Sequence, residues 1–132
     1  MNEQLFTIIA NKQLMEIQFE DLAGSIESPK LKRILSNIAR QEKIILDKYS
    51  EFMEREEIEL PTSEQDYINQ ANIEMVNDDG DVTIDLIEQK TKLIEFYKEC
   101  AYISETNYLT RLIEKTIDLE YKHIETLMNT IK

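Results

Sequence analysis

The stretch Leu109–Leu127, LTRLIEKTIDLEYKHIETL, decides how the rest of the chain is read. Leu109, Leu112, Ile113, Thr116, Ile124 and Leu127 recur at intervals that bring them to one face of an α-helix. Thr106 stands before the run as its N-cap. Two ionisable residues, Glu120 and His123, fall inside that apolar face, one turn apart. Charged side chains are rarely buried without partners. The pair therefore points to partners on neighbouring helices.

Working outward, three more helices have the same kind of stripe. Helix 1 is predicted over about 3–26 on Leu5, Ile8, Ile9, Met15, Phe19, Leu22, Ala23 and Ile26, with Gly24 loosening its end. Helix 2 runs from about 29 to 54 on Leu31, Ile34, Leu35, Ile38, Ile45, Tyr49 and Phe52, with Ser28-Pro29 as N-cap and first-turn proline. Helix 3 starts near Thr83, capped by Asp81 or Thr83, and carries Leu86, Ile87, Leu93, Ile94, Tyr97, Cys100 and Ala101. Helix 4 uses the opening stretch and Ile131. Short 1–2 and 3–4 connections make two antiparallel hairpins, about 3–54 and about 83–132. A helix of about 25 residues spans roughly 38 Å. The segment of about 55–82 is long enough to run that length. The expected fold is all-α, one domain, a four-helix bundle with one long crossover between helices 2 and 3.

Composition agrees with that class. The 132 residues include only two Gly and two Pro, too few for a turn-rich β fold. Lys+Arg total 15 and Asp+Glu 27, a net charge of −12, which disfavours nucleic acid or an anionic membrane as partner. Residues 55–85 hold ten acids and one base, so they supply −9 of the −12 and are read as a solvated acidic connection. The single cysteine, Cys100, excludes an internal disulfide or a cysteine-based metal site within one chain, and is read as buried. No signal peptide or membrane span is read, and a cytoplasmic setting is expected.

The two hairpins resemble each other. Sliding the chain by 78 residues without a gap places Ile9 on Ile87, Lys12 on Lys90, Ala23 on Ala101 and Glu27 on Glu105. Leu31 falls on Leu109, Arg33 on Arg111 and Glu42 on Glu120, while Phe19 meets Tyr97 and Ser28 meets Thr106. An internal duplication would give the bundle a pseudo-two-fold axis. Matched polar residues also interrupt the stripes: Lys12 on helix 1, Glu42 on helix 2, Lys90 on helix 3, Glu120 and His123 on helix 4. They form the candidate site, a buried polar network near mid-bundle, with no catalytic residue assigned.

Glu120-Tyr121-Lys122-His123 is a Glu-x-x-His motif on an inner helix face. The chain resembles the rubrerythrin branch of the ferritin-like superfamily, whose di-iron bundles use that motif on two helices and a single Glu on each of the other two. Leu93–Ala101, LIEFYKECA, is similar to that family's AIEFYEELA stretch. Glu27–Arg33, ESPKLKR, is similar to its EDPELKE turn, and Asp81–Leu86, DVTIDL, to the start of its third helix. The resemblance implies a ferritin-like bundle over nearly the whole chain. Carried over residue by residue, the ligand set keeps Glu42, Glu120 and His123. The second motif's histidine position holds Ile45, and the two single-Glu positions hold Lys12 and Lys90.

An intact set of four carboxylates, about −4, balances two divalent metals. Here two carboxylates face two ammonium groups, and the sum is again about zero. The expectation is that Lys12 and Lys90 take the place of the metal charges and pair with Glu42 and Glu120, with His123 neutral and bonded into the network. No cofactor is then needed. If metal is retained, Glu42, Glu120 and His123 could hold one Fe, Mn or Zn ion. Three functions stay open: a bundle that has lost its di-metal centre and serves as scaffold or interaction protein, a metal-dependent oxidoreductase or iron-handling protein, and an acidic helical adaptor. The expected partner is an unidentified protein or a second copy of the chain, as in a homodimer.

Overall fold

The computed structural model describes residues 2–59, 70–76 and 81–131. Four helices stand among the described residues: α1 (Asn2–Ser25), α2 (Pro29–Arg55), α3 (Val82–Ile103) and α4 (Asn107–Asn129). Their starts are set by side-chain caps. Ser28 Oγ accepts from the Leu31 N–H at 3.3 Å, and its counterpart Thr106 Oγ1 accepts from the Leu109 N–H at 3.3 Å. Asp81, not Thr83, caps α3, its Oδ1 accepting from the Ile84 N–H at 3.2 Å. Each cap satisfies one of the backbone donors that a helix start leaves without an intrahelical partner.

The end of α2 is made by hydrogen bonds rather than by glycine. The Ile58 N–H reaches back to Met53 O at 2.9 Å and the Glu57 N–H to Glu54 O at 3.2 Å, with Glu57 at φ 54°. This is a Schellman closure with a glutamate in the left-handed position.

The hairpins α1–α2 and α3–α4 pack so that α2 faces α4 and α1 faces α3. Between them lies one core that includes Leu5, Met15, Phe19, Leu35, Tyr49, Leu86, Tyr97, Ile113 and Leu127. Burying a side chain of this size contributes on the order of 1.5–3 kcal/mol. Ile131, expected on the core stripe, is exposed because α4 ends two residues earlier. Ile26 is only half-buried, beyond the last turn of α1.

The crossover departs from the expectation of a simple solvated connection. Residues 60–69 and 77–80 lie outside the described residues, but 70–76 run between α1 and α3, with Ile73 and Val76 packed on the core. Three buried amides hold this strap. Asn11 accepts from the Asn72 N–H at 3.0 Å and donates to Asn72 Oδ1 at 2.7 Å. Gln18 Oε1 accepts from the Val76 N–H at 2.7 Å, and Gln18 Nε2 donates to Gln89 Oε1 at 2.7 Å. Gln89 Nε2 in turn donates to Glu74 O at 2.5 Å.

Gln18→Leu therefore strips the Val76 N–H of its acceptor. The expected loss is about 1–3 kcal/mol, with faster amide exchange at Val76 than at the α4 core. Unchanged protection at Val76 would show that the strap is held some other way.

Candidate functional site

Each helix of the bundle contributes an ionisable side chain to its centre. Lys12 of α1, Glu42 of α2, Lys90 of α3 and Glu120 of α4 are all 0% exposed. Lys12 Nζ lies 2.8 Å from Glu42 Oε2 and 2.5 Å from Glu120 Oε1. Lys90 Nζ lies 3.0 Å from Glu42 Oε1 and 2.9 Å from Glu120 Oε2. Each ammonium thus bridges both carboxylates, and each carboxylate oxygen carries one ammonium. The formal charge of the four groups is zero.

Each lysine also faces an aromatic ring. Lys12 Nζ sits 5.2 Å from the centroid of the Tyr97 ring, and Lys90 Nζ sits 5.1 Å from that of Phe19. Phe19 and Tyr97 are counterparts under the 78-residue shift, as the two lysines are. A ring face adds to cation binding, most when water is excluded. Above this layer the Tyr49 hydroxyl donates to Thr116 Oγ1 at 2.6 Å, and the Thr116 hydroxyl donates to Leu112 O at 2.8 Å. The Tyr97 hydroxyl is buried and has no hydrogen-bond partner among the described residues.

His123 borders the centre instead of completing it. Its Nε2 is 2.6 Å from Gln41 Oε1, an acceptor, so Nε2 carries the proton. Its Nδ1 then presents a lone pair 3.5 Å from Glu42 Oε1 and has no hydrogen bond. Gln41 was not legible as a partner, because it lies on the exposed side of the α2 stripe. The buried amides Asn11 and Gln89 did carry a signal. They are counterparts under the same shift, each directly preceding a buried lysine.

Electrostatics fix the charge states. Burial alone pushes the Glu42 carboxyl up, but Lys12 and then Lys90 outweigh it and hold it well below its ordinary 4.5. Burial alone pushes the Lys12 ammonium down, but Glu120 and then Glu42 outweigh it and hold it well above its ordinary 10.5. For His123 burial dominates, and with Lys90 it lowers the imidazole below its ordinary 6.5 against the pull of Glu42. The imidazole is neutral at pH 7. Burial also pushes the Cys100 thiol up to about 11, so it is a poor nucleophile.

A pH profile follows. The depressed Glu42 contributes stability that is complete above 4.5 and is lost as pH falls through its folded value. The raised Lys12 contributes stability that is complete below 10.5 and is lost as pH rises through its folded value. His123 acts with the acid limb, because below 6.5 the unfolded chain takes up a proton that the folded imidazole resists. Urea midpoints are expected to be flat from about pH 7 to about pH 8, to decline below that range and more steeply in acid, and to decline above it, because the unfolded chain gives up the Cys100 thiol proton near 9 while the folded chain holds it to about 11. A midpoint that climbs between neutral pH and pH 5 would contradict these charge states.

Glu42, Glu120 and His123 each offer a ligand atom, and these lie within 4.8 Å of one another. Three of the four carboxylate oxygens accept lysine hydrogen bonds, Glu42 Oε2 has only the ion-pair contact with Lys12 at 2.8 Å, and Lys90 Nζ stands between the two glutamates at 3.0 and 2.9 Å. A protonated ammonium cannot ligate metal, and a divalent ion beside it would leave about +2 unbalanced in a buried site. A metal ion held by Glu42, Glu120 and His123 would have to displace lysine contacts of both glutamates.

No family model matches the chain, and no curated protein matches it with significance. Solved structures do match. The X-ray structure of Dps from Thermosynechococcus elongatus superposes with a TM-score of 0.87 at 14% identity, covering 98% of this chain and 88% of that one. The dodecameric thioferritin of Bacteroides fragilis, a bacterioferritin-related protein, gives 0.84 at 14% identity over 98% and 82%. A hypothetical protein from Pyrococcus furiosus gives 0.69 at 22% identity over 97% and 85%. At these identities the likeness is one of fold. No described helix is long and apolar enough to cross a membrane.

Proposed function

We propose that this chain, which has the ferritin-like four-helix bundle fold, is a bundle of rubrerythrin type whose di-metal centre has been replaced by two lysines, and that it acts as a scaffold or interaction protein. The observation that carries the reading is the double bridge. Lys12 and Lys90 each contact both Glu42 and Glu120, so the lysines supply from within the chain the positive charge that metals would bring. A charge pair at about 4 Å interacts by about 4 kcal/mol at an effective dielectric near 20, before desolvation is subtracted. Four such contacts in one closed network, with rings on two sides, make the charged state self-sufficient.

The test is a melting curve with Fe(II), Mn(II) and Zn(II) added in turn. No ion is expected to raise the melting temperature. A ligand at 100 times its Kd stabilises by about 2.7 kcal/mol, and a rise of that order would overturn the reading.

A second reading has one observation behind it. His123 Nδ1 is buried, has no hydrogen bond and faces Glu42. If Lys90 swings out of the centre, Glu42, Glu120 and His123 become ligands for one Fe, Mn or Zn ion, as in an iron-handling protein or metal oxidoreductase. The same melting curves separate the two, because only the second gains stability with metal.

A further inference from the structure

The seam between α2 and α4 holds a groove of about 320 Å³, at the small end of the range for ligand pockets, about 300–1,000 Å³. Its apolar lining is Ile44 and Ile45 of α2 and Leu119 of α4. Ile45 is buried, while Ile44 is 51% exposed. Lys115, Leu119 and Lys122 follow one another at helical spacing, so the two lysines stand at opposite ends of the α4 side, about 10.5 Å apart along the axis. Asp118 is the one acid of the lining. Two lysines against one acid leave the groove at +1 in a chain of −12.

The donors of this groove lack acceptors. Gln41 Oε1 is held by the buried His123 through its Nε2–H at 2.6 Å. That bond leaves the Gln41 Nε2 as the free end of the carboxamide, and among the described residues it donates to nothing. Lys115 and Lys122 form no ion pair within 4.0 Å among the described residues, not even with Asp118. The one exposed pair is Lys98–Glu95 on α3. His123 directly follows Lys122, so the Gln41 amide and the Lys122 ammonium belong to the same end of the groove. Lys115 belongs to the other end, about two helical turns away.

We propose that this groove binds a monocarboxylate with an aliphatic tail, a medium-chain fatty acid. An ionised carboxylate is acceptor-only, and it takes the Gln41 Nε2–H and the Lys122 ammonium. Its single charge matches the +1 of the lining. The tail lies along Ile44, Ile45 and Leu119 and removes the exposed face of Ile44 from water. It runs toward Lys115, whose methylene stem covers it while the ammonium stays in water. The His123–Gln41 bond remains in place, so the bound acid leaves the lysine–glutamate centre as it is. The groove therefore stands apart from both readings of that centre.

The test is an NMR titration of the isotope-labelled full chain with sodium octanoate, with octanol and sodium acetate at matched concentrations as controls. Saturable shifts are expected at the Gln41 side-chain amide and at the Ile44 and Leu119 backbone amides, with a Kd of about 1 mM or tighter. Octanol lacks the charge and acetate lacks the tail, so each is expected to bind more weakly by about fivefold or more. Lys122→Gln is expected to weaken octanoate binding about fivefold, and Lys115→Gln by less than about twofold. Both lysines are exposed, and an unchanged melting temperature checks that each variant keeps the fold. Octanoate that shifts none of the groove resonances would overturn the proposal, as would octanol binding as tightly. Acetate binding as tightly would overturn it too, because a bare anion would then suffice. Equal losses from the two lysine variants would also contradict it, because the carboxylate would then not be held at the Gln41 end.

Discussion

Glu42→Leu is expected to cost the fold about 3–5 kcal/mol, the range for breaking a buried ion pair from one side. The loss comes from what remains. Lys12 and Lys90 would then share Glu120 alone, one ammonium too many among side chains that are 0% exposed. Adding Lys90→Met to that background restores neutrality, because Lys12 and Glu120 still pair at 2.5 Å. The double variant E42L/K90M is therefore expected to be more stable than E42L alone, with a coupling of about 1–3 kcal/mol in a double-mutant cycle. Urea denaturation of the four proteins in the cycle measures it. Additive losses would show that the charges do not act as one network. Replacing all four by apolar residues of similar size is expected to be neutral or stabilising by about 1–4 kcal/mol, so the network is not needed for stability alone.

Restoring acids at the lysine positions is expected to have the second large effect. K12E/K90E would place four carboxylates where two carboxylates and two ammonium groups now cancel. Like charges at that separation cannot all stay ionised, so the metal-free variant should be strongly destabilised at pH 7 and recover as pH falls. Divalent Fe, Mn or Zn should then raise its melting temperature, unlike that of the wild type. The same stability with and without metal would mean that these positions do not converge on one centre as charges.

Much of this is legible in the sequence. The stripes on helices 1 to 4 give the core because helical periodicity and burial have one cause, the removal of apolar faces from water. Ser28 and Thr106 cap their helices as read, because a short hydroxyl before a helix has few other tasks. Lys12 and Lys90 stood out because ammonium groups on apolar faces need partners, and the matched glutamates supplied them.

What was not legible involves partners outside those stripes. Gln41 reaches His123 from the exposed side of α2, and no periodicity announces that. The strap of residues 70–76 is seated by Asn11, Gln18 and Gln89 through amide bonds to backbone and side chain. Its own residues include one acid, Glu74, but it lies within the strongly acidic 55–85 segment, which reads as solvated chain. Phe19 and Tyr97 were read as core, and so they are, but their second task as ring faces for the opposite lysine depends on helix rotation.

Two lysines are proposed here to hold the place of metal charge. Metal analysis by mass spectrometry tests this most directly, on protein incubated with Fe(II), Mn(II) and Zn(II) and then desalted. Far less than one metal per chain is expected for every ion. One metal or more per chain, retained through desalting, would contradict it and would place Glu42, Glu120 and His123 as ligands with Lys90 displaced.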